Sequence, residues 1–140
     1  MKGAIIQEAS KLFLQLGFKT VTMDDLAVSL GISKKTLYIH FENKQQLVYE
    51  VAQAIFEKIT KDILKIKESC SNPIEEFHFV RLEAMKYLGN EKTSPNYQLQ
   101  KHYPKIYMDL RTKEYQYLGK MVRDSLQDGI NSGLFRAGID

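Results

Sequence analysis

Apolar residues recur along this chain at helical spacing almost from end to end. Ile5, Ala9, Leu12 and Leu16 are separated by 4, 3 and 4 positions, with Ile6 and Phe13 beside them. That stripe predicts an amphipathic helix over residues 3–16, and Gly17 is suited to end it. Thr22, with Asp25 three residues on, is close to a capping box and opens a second helix over 23–30. Leu26, Ala27 and Leu30 form its apolar side, and Gly31 stops it. Ser33 caps a short helix over 34–40, and Asn43 caps a long one. Leu47, Val51, Ile55, Ile59, Ile63 and Ile66 carry the long stripe to about residue 69.

Pro73 suits the first turn of a fifth helix, whose face is read as Ile74, Phe77, Val80, Ala84 and Leu88. The polar run from Gly89 to Pro95 is the sharpest break in the pattern. A short helix is expected over 96–103, and Pro104 starts a longer one that runs to Asn131. Its stripe is Ile106, Leu110, Leu118, Met121, Val122, Leu126 and Ile130, with Gly133 as its stop. No useful segment alternates with the period of a strand and no repeat is present, so the class is all-α. The organisation changes near residue 42. Residues 1–43 read as a small three-helix head, and 44–140 as a C-terminal helical domain joined to it through the fourth helix.

The stretch 22–41, TMDDLAVSLGISKKTLYIHF, places two helices about a tight turn containing glycine. Ala27 is small where two crossing helices approach. Gly31 sits where φ > 0 is often needed, and Leu37 faces back into the head with Leu26, Leu30 and Ile32. This is the spacing of a helix-turn-helix. The other side of the third helix offers Lys34, Lys35, Thr36, Tyr38 and His40, all hydrogen-bond donors, and Ser33 adds a hydroxyl. Taken singly these residues have plainer readings. A Lys-Lys pair is usually a solvated surface, Tyr38 and Phe41 could be core aromatics, and His40 a packing histidine.

Composition narrows the function by exclusion. The 140 residues carry a net charge of +3, too mild to indicate nucleic acid by itself. The single cysteine, Cys70, excludes an internal disulfide framework and a cysteine-based zinc cluster. No signal peptide and no membrane-length apolar run is visible, so a cytoplasmic protein without membrane association is expected. There is no P-loop, no Gly-x-Ser-x-Gly and no His-Glu-x-x-His, and His40, His78 and His102 are scattered. An enzyme is therefore not expected, nor a cofactor, a metal or catalytic residues.

The run Gly31-Ile32-Ser33 followed by Leu37-Tyr38-Ile39-His40-Phe41, Lys44 and Leu47 resembles the tetracycline-repressor-like (TetR-like) transcriptional regulators. Ala9, Leu12, Phe13, Gly17, Thr22 and Leu26-Ala27 extend the likeness, which is dense over residues 3–50. Gly129 to Arg136 also looks like that family's close of its seventh helix. The resemblance implies a sequence-specific DNA-binding repressor, released from a palindromic operator on double-stranded DNA by a small-molecule effector. It implies that Lys34, Lys35 and Thr36 point into the major groove. Thr22, Tyr38, His40 and Lys44 match positions that support or touch the phosphate backbone, and Ser33, at the N-terminus of the third helix, is a DNA-binding candidate by its hydroxyl. It implies a ligand and dimerisation bundle in the second half, with Phe77, Val80, Met85, Leu88, Tyr103, Tyr107 and Met108 as candidate lining. The family acts as a homodimer through two further helices that follow the Gly-Leu-Phe-Arg segment, and this sequence stops at Asp140 before them. The alternative is a helical interaction protein that kept the head without operator binding.

Overall fold

A computed structural model describes residues 1–88 and 92–138, apart from the side chains of Leu88 and Tyr115. Seven helices follow one another: α1 (Lys2–Leu16), α2 (Met23–Leu30), α3 (Lys34–His40), α4 (Lys44–Ser69), α5 (Pro73–Leu88), α6 (Pro95–His102) and α7 (Pro104–Asn131). No strand occurs among the described residues, in agreement with the all-α reading.

The helix ends follow from local chemistry. Thr22 and Asp25 form a full capping box: the Asp25 amide donates to Thr22 Oγ1 at 3.1 Å, and the Thr22 amide donates to Asp25 Oδ2 at 2.8 Å. Ser33 accepts from the Thr36 amide at 3.0 Å, Asn43 from the Gln46 amide at 2.9 Å and Ser94 from the Tyr97 amide at 3.2 Å. Gly31 ends α2 in the left-handed region, at φ 64° and ψ 29°. At the close of α7, Gly129 has its backbone against Phe135. An added Cβ there would lie 2.0 Å from the ring, so only glycine fits.

Packing joins the head to the rest. Ile5, Phe13, Phe18, Val21, Leu26, Leu37, Phe41, Leu47, Val48 and Val51 are almost wholly enclosed. The rings of Phe13 and Phe18 stand 5.0 Å apart and tilted. Further along α4, Ala52, Ile55, Ile59 and Ile63 are also buried, and Leu99, Tyr107 and Leu110 of α6 and α7 belong to the same cluster. One continuous apolar core thus runs through both halves, with α4 as its spine.

α5 departs from the sequence expectation. Ile74 and Phe77, read above as its packed face, are about half exposed, as are Phe79, Leu82 and Met85. The side that turns inward holds Val80 and Ala84 of the expected face together with Glu76, Glu83 and Tyr87, and none of α5's described side chains is fully buried. A polar cluster fastens it: Ser125 of α7 donates to Glu76 Oε1, and Lys67 of α4 lies 3.7 Å from the same carboxylate. Apolar residues occur all round this helix, so spacing alone did not choose a face.

The left-handed turn at Gly31 gives a direct test. Gly31→Val is expected to destabilise the head by about 1–2 kcal/mol, the cost of a side chain in that conformation. Gly31→Asn is expected to lose much less. Nothing lies within 4 Å of an added Cβ, so the difference isolates backbone strain from crowding. Urea unfolding of both variants measures it.

Candidate nucleic-acid interface

The helix-turn-helix is held rigidly enough to aim one helix. Leu37 is fully buried and locks α3 against Leu26 and Phe41 of the head core. At 3.6 residues per turn, Lys35 and Ile39 each fall about 20° from the direction opposite Leu37. Lys34 and Tyr38 occupy one flank, and Thr36 and His40 the other. The outermost line of α3 is therefore a lysine followed by an isoleucine, with donors on both sides.

These side chains are not equally free. Lys34 Nζ lies 2.9 Å from Asp24 Oδ1 in the first turn of α2, and that carboxylate holds its ammonium above the usual lysine range. Thr36 is half-buried, and its hydroxyl shares a 2.8 Å hydrogen bond with that of Ser33. The Thr22 hydroxyl donates to Asp25 Oδ2 at 2.7 Å. Those bonds from Thr22 hold the Asp25 carboxyl below the ordinary aspartate range. Tyr38 is 42% exposed and His40 half-buried. Among the described residues, Lys35 makes no ion pair.

Lys44 has an internal duty. Its Nζ donates to the Lys19 carbonyl at 3.1 Å, tying the first turn of α4 to the connector between α1 and α2. Partial burial pushes its ammonium down, against an opposing pull from Asp25. Of the eight expected DNA-binding residues, Ser33 to His40 are brought together on α3. Thr22 and Lys44 meet instead around Asp25 and the connector.

A second concave feature lies in the other half. Ala52, Ile55, Phe56 and Ile59 of α4, Leu99 of α6 and Leu110 of α7 form the apolar wall of a small cleft with a cavity volume of about 30 Å³. Tyr87, Asn96, Tyr107, Arg111 and Glu114 give it polar points. The Arg111 guanidinium donates to the Tyr107 hydroxyl, and burial raises the Glu114 carboxyl despite the nearby Arg111 charge. Of the lining expected from the sequence, Tyr107 is in this cleft. Phe77, Met85 and Met108 are about half exposed, and Val80 packs on the core. Tyr103 turns to the head, donating to the Phe18 carbonyl at 3.4 Å. The side chain of Leu88 lies outside the described residues. The α4 wall went unread because its residues belong to the same stripe that builds the core.

Residues 5–51 match the tetR family of bacterial regulatory proteins. Over that stretch, the head and the first turns of α4, the chain is similar to that family. The HTH-type transcriptional repressor KstR2 of Mycolicibacterium smegmatis is 28% identical over 145 residues, spanning 99% of this chain and 69% of the relative. The likeness in fold to solved regulators extends over both halves. FadR of Bacillus subtilis, solved with stearoyl-CoA, superposes with a TM-score of 0.73 at 19% identity, covering 100% of this chain and 76% of FadR. AibR, solved with isovaleryl coenzyme A and operator DNA, gives 0.69 at 19% identity over 97% of this chain and 75% of AibR. Among the described residues no group of His, Cys, Asp or Glu is arranged to hold a metal ion, and no helix is long and apolar enough to cross a membrane.

The two lysines separate by stability. Lys44→Ala is expected to cost the head roughly 0.5–1.5 kcal/mol, a net hydrogen bond. Lys35→Ala is expected to stay within about 0.5 kcal/mol of the parent, as an exposed surface change does. Urea midpoints of the two variants check both.

Proposed function

We propose that this chain is a sequence-specific transcriptional repressor, in which residues 1–43 read duplex DNA and residues 44–140 receive a small-molecule effector. The observation that carries this reading is α3: a short helix locked from behind by Leu37, presenting Lys35 and Ile39 outward between flanking donors. Such a helix enters the major groove, where lysine meets guanine O6 and N7. Tyr38 and His40 then reach towards the phosphates. Lys34 changes partner from Asp24 to the DNA.

The effector reading rests on how one helix serves two surfaces. Leu99 and Asn96 of α6 line the cleft, while Gln98 of the same helix lies beside Gly17, and Tyr103 bonds Phe18. An occupant that displaces α6 or α4 would therefore move the Gly17–Thr20 connector, which Lys44 also grips. Widened by such a displacement, the cleft would take a ligand with an apolar body and a polar group near Arg111 and Glu114. FadR and AibR were solved with coenzyme A thioesters, so acyl-CoA thioesters of graded length are the first probes. A palindromic operator would be read by two copies with heads about 34–36 Å apart, and light scattering of the protein–duplex complex gives that stoichiometry. The protein acts in the cytoplasm, where its operator lies, without catalysis.

The test is selection from a randomised duplex library, followed by binding to the selected site across salt concentrations. Affinity should fall steeply with salt, and Lys35→Ala should weaken binding by about 1–3 kcal/mol if it reads a base. Absence of any enriched sequence would overturn the reading. Release of the selected duplex by a thioester would support the effector half, and unchanged binding across the series would remove that ligand class.

A further inference from the structure

The reading face of α3 contains one residue whose chemistry does not match its neighbours. Ile39 is 72% exposed, although it sits among Lys35, Tyr38 and His40 on a surface otherwise built of donors. It does not serve the core, because Leu37 and Phe41 on either side of it in sequence are the buried residues. Its side chain is aimed outward with that of Lys35, one turn away on the same line.

We propose that Ile39 is a specificity-determining residue that reads the C5-methyl group of a thymine. The inference rests on the DNA-reading function proposed above and adds a residue and a base to it. In the major groove, hydrogen-bonding groups cover the edges of guanine, cytosine and adenine, and thymine alone adds an apolar methyl. An isoleucine buried against that methyl removes two apolar surfaces from water together. Against any other base edge it would desolvate a polar group without bonding it. Register follows from the helix. Side chains four apart stand about 6 Å from one another on a helix surface, and successive bases rise about 3.4 Å along a strand. The thymine read by Ile39 therefore lies about two base steps from the base met by Lys35.

The experiment uses the full chain and the duplex selected from the randomised library. Each thymine of that duplex is replaced in turn by deoxyuridine, which lacks only the methyl group. At one thymine per half-site the parent should lose about fourfold in affinity, the worth of one buried methyl. Ile39→Ala should bind the thymine and uridine duplexes alike, whereas Ile39→Val should keep most of the discrimination. Thermal melting confirms that both variants fold, as expected for an exposed position. If the methyl preference persists unchanged in Ile39→Ala at every thymine, or no thymine shows one, Ile39 does not read the methyl and the regulator reading stands. If the library yields no enriched sequence, the regulator reading itself falls, and this inference with it.

Discussion

Burial of one face of α4 is the constraint from which the other features follow. Leu47, Val48 and Val51 close the core of the head, while Ile55, Ile59 and Ile63 continue the same face into the second half. A side chain of this kind contributes about 1.5–3 kcal/mol when fully buried. The row therefore sets a large energetic penalty on separating head from bundle. It also means that the head cannot tilt independently of the helix that forms the apolar wall of the cleft.

Polar contacts then trim what the apolar core leaves loose. The connector between α1 and α2 is held at the Lys19 carbonyl by Lys44 and at the Phe18 carbonyl by Tyr103. Both bonds reach across from elements outside the head. At the start of α3, Asp24 holds Lys34 back against the first turn of α2. An exposed pair of this kind has little intrinsic stability, so Lys34 can exchange partners at small cost. The same logic explains why Lys35, with no such pair among the described residues, is the stronger candidate for base contact.

α5 shows the opposite balance. Its hold on α4 and α7 relies on Glu76, Lys67 and Ser125 rather than on a packed apolar row. Fewer buried apolar contacts mean a lower local opening free energy than in α1 or the first half of α4. The cleft borders this less tightly held side through Tyr87.

The sequence alone determined the helices and their ends. Thr22, Ser33, Asn43 and the glycines at 17, 31 and 133 act on backbone groups within a few residues of themselves, so their effect needs no distant partner. The head was legible for the same reason, since its motif is compressed into residues 22–47. What the tertiary structure decided was direction. Ile39 is exposed and Leu37 buried, though both are aliphatic residues of one short helix. Tyr103 turns to Phe18 while Tyr107 turns into the cleft. Ile74 and Phe77 stay outside, though their spacing reads as a packed face. Burial depends on which elements arrive from elsewhere in the chain, and periodicity reports only that a face exists, not what will cover it.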